Sequence, residues 1–422
     1  MSMLQQPAPT ASIFRNRHVQ AIIGSNLLLQ LGIWIRNFAI LLFVVDKTNE
    51  DPLYVSLISV VEFAPIFIFS FIGGTFADRW RPKLTMVWCD FLSAISVFIV
   101  LLTLIYGSWQ SIFLATFVSA ILSQFSQPSG LKLLKRHVPE HQLQQVMAIF
   151  QTLMAIFMII GPMIGTYVYQ TFGIYVSIGV MGTMFLLSAL VLLMLPKDLV
   201  EKKTTENNFS REFKEGFRYV FRSKILRTLG GTFATAGIAV GLIQPLGVFV
   251  VIENLGMEKE FLQWLLVANG AAMLVGGGLV FGISKKVAPA KLLALGMFVS
   301  MISTVGIGLS TSIPLTLAFQ VFNGLFFPCI QIGINTMILK NTEESFVGRV
   351  NGVLNPMFVG MMVIGMSTGG ILMKAITLPY VYVASGLLFL VGTALLVPLF
   401  KIGGGSGQPN EEVSAKPASV TH

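Results

Sequence analysis

The sequence predicts an all-α membrane protein of twelve transmembrane helices arranged as two six-helix halves. Three observations support this prediction. Of the 422 residues, 54% are hydrophobic and only 11% are charged, apolar runs recur along the chain, and basic residues cluster after every second run. A soluble domain carries about 25% charged residues, whereas a run of about 20 apolar residues is long enough to cross a bilayer as a helix.

The spans are predicted to be helices because a backbone inside lipid must satisfy its hydrogen bonds internally. A barrel would show short segments of alternating hydrophobicity, which this sequence lacks. The twelve predicted spans cover residues 19–45, 53–76, 84–106, 109–133, 143–170, 174–195, 226–252, 260–283, 290–309, 313–339, 350–374 and 379–400.

Basic residues predict the orientation, because cytoplasmic loops of membrane proteins are enriched in Lys and Arg. All 28 of them except Arg36, Lys47, Lys259 and Lys374 precede the first span or follow an even-numbered one. We therefore expect a multi-pass protein of the cell membrane with both termini in the cytoplasm. This distribution accounts for the net charge of +9, so we expect no nucleic-acid partner.

Polar segments divide the chain into five parts. These are a cytoplasmic N-terminal segment (1–18), the first half (19–195), a cytoplasmic linker (196–225), the second half (226–400) and a disordered cytoplasmic tail (401–422). In the linker, aromatic residues alternate with Arg and Lys, as in an amphipathic helix that lies on the inner membrane face. We interpret this helix as a strap between the halves.

The two halves show faint internal similarity. "VMAIFQ" matches "VNGVLN", and "IGPMIG" matches "IGMSTG", both at an offset of 204 residues. Paired six-helix halves are typical of secondary transporters, in which the substrate site lies between the halves near the bilayer midplane.

The turn between the second and third spans reads "GTFADRWRPK". It resembles the loop signature of the major facilitator superfamily, with Gly74, Asp78, Arg79 and Lys83 at matching positions. Arg81 and Pro82 replace the usual Gly-Arg.

Two further stretches extend the resemblance. "GPMIG", with Gly161, Pro162 and Gly165, is similar to the core of the antiporter helix-packing motif. "REFKEGFRYVFRSKILR" and "GRVNGVLN" are similar to segments of the macrolide-efflux and enterobactin-exporter branch of drug:proton antiporters. Many of these antiporters carry an Arg in the fourth helix. The fourth span here contains none, so proton coupling would use other residues.

The resemblance implies that the turn is a conformational switch. Its carboxylate, Asp78, is implied to latch onto the other half in the outward-facing state, with Gly74, Arg79, Arg81 and Lys83 completing the motif. The alternative is that the cations are ordinary anchors on the cytoplasmic side. That alternative does not explain Asp78, because acidic residues contribute little to orientation.

Three ionisable residues stand out well inside predicted spans, where charge is costly and indicates a function. Arg36 and Glu62 lie at matching depth, about 13–15 Å from the outer ends of the first two spans, so we expect an ion pair. The pair is either a switch, in which Glu62 exchanges Arg36 for a proton or a cationic substrate, or a permanent structural bridge. Asp90 either pairs with the Arg and Lys residues of the turn or carries a proton itself.

Amide side chains are frequent in the predicted spans. We expect a substrate cavity lined by Asn26, Gln30, Trp34, Asn37, Gln127, Gln151, Gln244, Asn323 and Asn355. Further amides in the second half are Asn269, Gln320, Gln331 and Asn335. Abundant Met and Phe would supply an adaptable apolar wall.

The sequence therefore predicts a monomeric exporter of lipophilic or amphipathic small molecules, driven by protons. The alternatives are a lipid or siderophore exporter on the same fold and a membrane sensor that binds ligand without transport. No phosphate-binding Gly-Lys-Ser/Thr loop is present, and the four His residues lie in loops and at termini. We expect no enzymatic activity, no cofactor and no metal.

Overall fold

The computed structural model describes residues 17–196, 209–284 and 286–402, apart from the side chains of residues 70–79, 140–141, 209–210 and 401–402. These ranges are helical and contain no strand, which confirms the predicted all-α fold. The helices are α1 (Arg17–Lys47), α2 (Pro52–Arg79), α3 (Pro82–Ile105), α4 (Ser111–His137), α5 (Glu140–Leu193), α6 (Phe209–Arg222), α7 (Lys224–Ile243), α8 (Leu262–Ser284), α9 (Pro289–Leu309), α10 (Ile313–Lys340), α11 (Val347–Ile376) and α12 (Leu378–Leu396). Short turns lie at Gly247–Phe249, Val250–Asn254, Lys259–Phe261, Glu344–Phe346 and Leu399–Ile402.

Ten helices in the described ranges are long and apolar enough to cross a membrane. One of them, α5, has 54 residues and is broken at Gly173, whose φ of 74° and ψ of −177° are not helical. Glycine tolerates this positive φ because it has no Cβ, and the break falls between two predicted spans. The α4 helix is not among the ten and carries several Ser and Gln residues. Counting the two segments of α5 separately and adding α4 would give twelve spans. The predicted number of twelve stays a prediction.

The helices form two bundles, α1–α5 and α7–α12. In the first, α1 packs along α5, and α3 packs on α4 and α5. In the second, α7 packs on α11 and α12, while α9 and α8 pack on α10. The bundles meet where α2 packs on α11 and where α5 packs on α8.

The two ends of the molecule differ in how the halves pack. We call the end where α1 begins the linker end, and the end where α1 ends and α2 begins the far end. At the far end, one cluster of buried apolar residues joins both halves, for example Val44 and Val45 of α1 with Val381 of α12. At the linker end each half has its own cluster, one around Leu133 and one around Leu229. The halves are therefore packed together at the far end and have separate cores at the linker end.

The α6 helix belongs to the second half. Glu215 forms an ion pair with Arg349 at 3.2 Å, and the Tyr219 ring stacks on Phe346 with 4.6 Å between centroids. The backbone N–H of Glu343 donates to the Tyr219 hydroxyl at 3.3 Å. These contacts fasten α6 to α11 and the turn before it, and its interpretation as a strap between the halves stays a prediction. Residues 197–208 of the predicted linker lie outside the described residues.

Glycines let α7 and α11 cross backbone to backbone. A Cβ at Gly237 or Gly369 would lie 2.6 Å from the carbonyl oxygen of Phe358 or Leu242, respectively. A Cβ at Gly241 would overlap the carbonyl oxygen of Met362. Small residues spaced by four are typical of close helix pairs in membranes, so this crossing depends on glycine.

Other glycines of the helices divide into two groups, those in close contact with a neighbouring helix and those beside open space. Gly161 and Gly165 of α5 pack on Trp34 of α1, so the "GPMIG" motif is a contact between these helices. Gly276, Gly365, Gly369 and Gly370 also contact neighbouring helices closely, and Gly370 meets Pro52 across the two halves. At Gly277, Gly278 and Gly282, by contrast, an added Cβ would meet no atom within 4 Å. Gly73 and Gly74 lie outside the residues whose side chains are described.

The α7–α11 crossing yields a stability prediction. Replacing Gly241→Ala should destabilise the protein by about 1–3 kcal/mol, the usual cost of overpacking, because the new methyl group meets a backbone oxygen that cannot move away. Gly277→Ala is the matched control, and it should be neutral or slightly stabilising because Ala favours helix and the space is open. Thermal unfolding of the two variants in detergent measures the difference. Equal melting temperatures would contradict the proposed dependence on glycine.

Candidate functional site

Arg36, Asn37 and Glu62 form a connected group between α1 and α2. Arg36 Nη2 lies 3.1 Å from Glu62 Oε1. The Arg36 Nε and Nη2 groups donate to Asn37 Oδ1 at 2.8 and 2.7 Å, and Asn37 Nδ2 donates to Glu62 Oε1 at 3.0 Å. The expected ion pair between Arg36 and Glu62 is therefore present, and Asn37 connects its two members.

The two charged members of this group differ in exposure, and the two carboxylate oxygens of Glu62 differ in their contacts. The Arg36 side chain is 6% exposed, whereas that of Glu62 is 26% exposed. Both contacts to Glu62 use Oε1, and Oε2 forms no hydrogen bond within the described part of the chain. Glu62 is ten residues into α2, about 15 Å from its end at 1.5 Å per residue. One carboxylate oxygen at mid-depth is thus held, and the other is open to a further partner.

Asp90 lies in a different environment from the one expected. Ser188 Oγ of α5 donates to Asp90 Oδ2 at 2.6 Å, and Ser25 Oγ of α1 lies 2.7 Å from Ser188 Oγ. Asp90 is buried, and the described residues place no cation within 4 Å of it. The expected pairing is not formed with Arg81 or Lys83, because Asp90 is about 12 Å along α3 from Pro82, and the side chain of Arg79 lies outside the described ones. The carboxyl group instead ties α3 to α5 and α1.

Lys83 is buried and turned towards the end of α5. Its Nζ donates to the carbonyl oxygen of Leu193 at 3.0 Å and also to that of Leu195. The last carbonyls of a helix lack partners within the helix and carry partial negative charge. Lys83 therefore caps the C-terminal end of α5, a contact that the turn sequence alone did not predict. Arg81 is exposed, and the side chains of Gly74, Asp78 and Arg79 lie outside the described ones.

The amides predicted for the first half have separate surroundings in the described structure. Gln30 Nε2 donates to Met154 Sδ, and Asn26 Oδ1 is buried without a partner among the described residues. Trp34 packs on Gly161 of α5. Gln127 and Gln151 are exposed. Of this predicted set, only Asn37 lies in the charged group.

The second half encloses a cavity of about 560 Å³. It is lined from α7 to α12, and Met158 of α5 is its contribution from the first half. Seven amide side chains line it, namely Gln244, Asn269, Gln320, Asn323, Gln331, Asn335 and Asn355. The predicted cavity residues Gln244, Asn323 and Asn355 are thus brought together, and the other amides noted in the second half join them.

Two ion pairs connect the halves at the far end. Lys374 Nζ of α11 lies 2.8 Å from Asp51 Oδ2, immediately before α2, and Lys259 pairs with Asp46 of α1. The Tyr169 hydroxyl donates to the same Asp46 at 3.0 Å. Sequence analysis missed these pairs, although Lys259 and Lys374 were exceptions to the charge pattern. Their place outside the cytoplasmic clusters of basic residues was the feature of the sequence that could have predicted these pairs.

The described residues contain no group of three His, Cys, Asp or Glu side chains that could hold a metal ion. Among the described residues, the charged group of the first half and the amide-lined cavity of the second are the two places where polar side chains are open to a ligand. Neither presents a nucleophile next to a base.

Comparison with solved structures shows the same fold. The nucleoside transporter NupG superimposes with a TM-score of 0.74 at 13% identity, covering 91% of this chain and 100% of that one. A POT family transporter in complex with a thioalcohol-conjugated peptide gives a TM-score of 0.73 at 14% identity, covering 92% and 97% of the two chains.

Sequence comparison finds distant bacterial relatives. The chain is 26% identical to the MFS-type transporter YkuC of Bacillus subtilis, covering 84% of this chain and 85% of that protein. It is 21% identical to macrolide efflux protein A of Streptococcus pyogenes, covering 86% and 91%. It is 23% identical to the multidrug efflux pump Tap of Mycolicibacterium fortuitum, covering 82% and 87%.

The family model of the Major Facilitator Superfamily matches residues 22–252 and 229–422, nearly the whole chain. Together with the helical fold, the two bundles and the turn "GTFADRWRPK", this match confirms the predicted resemblance. The chain is a multi-pass membrane transporter, and it belongs to the Major Facilitator Superfamily.

Proposed function

We propose that the protein exports lipophilic or amphipathic compounds by proton antiport and alternating access. The relatives named as macrolide and multidrug efflux proteins support the substrate class. The observation that carries the coupling mechanism is Glu62, which is held through Oε1 by Arg36 and Asn37 while Oε2 is open. No enzymatic activity, cofactor or nucleic-acid partner is part of this proposal, and the transporter works as a monomer.

In the proposed cycle, Glu62 exchanges partners. A proton or a cationic part of the substrate approaches Oε2 and competes with Arg36 for the carboxylate. Removing one partner of a buried ion pair costs about 3–5 kcal/mol, so the exchange requires something that keeps Arg36 satisfied. Asn37 Oδ1 supplies it, since it accepts two hydrogen bonds from Arg36 that do not involve Glu62. A permanent structural bridge is the alternative.

Asp90 has a secondary place in the proposal. It is a buried acid that can bind a proton, and Ser188 and Ser25 connect it to α1, the helix of Arg36. Its contacts with two other helices also suit a packing function, so the proposed coupling depends first on Glu62.

The packing of the two ends supports a transport cycle by alternating access. The separate cores at the linker end and the shared core at the far end correspond to a state open towards the linker end. By the positive-inside rule we place the linker end and both termini in the cytoplasm, so this state is inward-facing. The far-end ion pairs must break when the protein opens outward.

Two other functions fit the same fold, namely export of lipids or siderophores and ligand sensing without transport. Flux into inverted vesicles separates sensing from transport. Competition between unlabelled lipids, siderophores and lipophilic cations separates the substrate classes.

Glu62→Gln should reduce proton-driven accumulation of tetraphenylphosphonium in inverted vesicles to near background, because a neutral amide neither releases a proton nor attracts the cation. Glu258→Gln, which removes an exposed acid at the far end, is the matched control and should transport normally. Arg36→Gln should cause a loss that is not additive with that of Glu62→Gln if the two act as a unit. Normal accumulation by Glu62→Gln would remove this residue from the mechanism.

The far-end ion pairs yield a conformational prediction. Asp51→Asn or Lys374→Gln should each shift the population towards the state that is open at the far end. The shift should be about 0.2–1 kcal/mol, which is typical of exposed ion pairs. Because both changes break the same pair, the two shifts should not add. Spin labels at the exposed Tyr106 and Tyr380 report the separation across this end by double electron–electron resonance. Lys47→Gln removes an exposed cation of the same end and should leave the distances unchanged. Equal responses in all variants would contradict the gating function.

The proposed Asp78 latch predicts a shift of opposite sign. Asp78→Asn should weaken the outward-facing state, so the same spin labels should show a smaller fraction of the long far-end distance. The sign makes this result separable from that of the ion-pair variants. Distances identical to those of the parent protein would refute the latch.

A further inference from the structure

The cavity of the second half combines amide groups with an apolar wall and carries no charged residue. None of its lining residues is Asp, Glu, Lys, Arg or His, although seven of them are Asn or Gln. The remaining wall is largely apolar, with Phe, Met, Leu and Ile side chains. This differs from the first half, where the polar centre is an ion pair.

One face of α10 supplies most of these amides. Gln320, Asn323, Phe327, Gln331 and Asn335 follow each other at intervals of three or four residues, which places them on one side of the helix. Fifteen residues separate the first from the last, so the polar stripe extends for about 22 Å. It is long enough to contact a ligand at several points.

The amides differ in what they bind within the protein. Near the far end, Asn269 Nδ2 donates to the backbone carbonyl oxygen of Gln320 at 3.0 Å and to Asn323 Oδ1 at 3.4 Å. Nearer the linker end, the side chains of Gln331, Asn335 and Asn355 form no hydrogen bond with the described residues. All three side chains are exposed in the cavity, so their amide groups are open to water or to a ligand. Three amides that line the cavity and have no hydrogen-bond partner among the described residues are therefore available to a ligand.

We infer that this cavity binds uncharged compounds, or uncharged parts of compounds, that carry both hydrogen-bond donors and acceptors. An amide side chain presents both N–H donors and a carbonyl acceptor, so it suits hydroxyl, lactone and carboxamide groups better than a cation. A volume of about 560 Å³ lies in the range of small-molecule sites. Met273 and Met297 give the wall side chains that adapt to different apolar surfaces. Recognition is thus divided, with cations held at Glu62 and neutral hydrogen-bonding groups held here.

This inference rests on the proposed function for its biological meaning, but binding tests it separately. The parent protein in lipid nanodiscs is titrated with two probes by isothermal titration calorimetry. Erythronolide B is an uncharged lactone with several hydroxyl groups, and tetraphenylphosphonium is a cation without a hydrogen-bonding group. The parent protein should bind both, and failure to bind erythronolide B would overturn the inference.

Gln331→Met and Asn335→Leu remove one amide each with little change in size. Each should weaken erythronolide B binding about 3- to 10-fold, the effect of one lost hydrogen bond, and leave tetraphenylphosphonium binding unchanged. Glu62→Gln should weaken tetraphenylphosphonium binding and leave erythronolide B binding unchanged. Gln110→Met removes an exposed amide at the start of α4 and should affect neither probe.

Retained binding of the second probe shows that a variant is folded. Amide variants that bind erythronolide B as the parent does, or that weaken both probes equally, would contradict the inference. Binding that follows the expected pattern in a protein without proton-driven flux would support the inference and overturn the proposed function instead.

Discussion

The observed state depends on one constraint, the apolar core that the two halves share at the far end. Residues of α1, α2 and α3 are buried there with residues of α7, α11 and α12, whereas the linker end has two separate cores. The ion pairs at the same end are partly exposed and contribute little, about 0.2–1 kcal/mol each. Packing therefore decides which end is closed, and the ion pairs adjust the balance. Gly370, which brings α11 against Pro52 of α2, lets this contact form closely.

The two halves share a fold but differ in their polar chemistry. The first half holds Arg36 and Glu62 with Asn37 as a common partner, and the second half holds amides in a cavity without charge. A buried charge must be paired or neutralised, whereas an amide is satisfied by any neutral hydrogen-bonding group. This difference suits a transporter of amphipathic compounds. The charged site responds to protons, and the neutral site contributes affinity that does not depend on the protonation of Glu62.

Much of this could be predicted from the sequence because lipid restricts the choices. The apolar runs predicted the helices, and depth along α1 and α2 predicted the Arg36–Glu62 pair, since two charges at matching depth have few other partners. The predicted cavity residues Gln244, Asn323 and Asn355 line one cavity as expected, because polar side chains in spans face the bundle interior rather than lipid. The sequence did not show that Asp90 would accept a hydrogen bond from Ser188 of α5, which bonds Ser25 of α1 in turn, because such contacts depend on how α3 is rotated against its neighbours. It also did not show that Lys83 would cap α5, or that α6 would pack on α11 and the turn before it.

The central claim is that the far end must open for transport, and a reversible cross-link across that end tests it most directly. Cysteines in place of Asp51 and Lys374, whose side chains are 2.8 Å apart, can be joined by a short bis-methanethiosulfonate reagent after the buried Cys89 and Cys329 are replaced by Ala. The account predicts that cross-linked protein in proteoliposomes loses transport of tetraphenylphosphonium and regains it when the link is reduced. Transport at the uncross-linked rate while the link is intact would contradict the account.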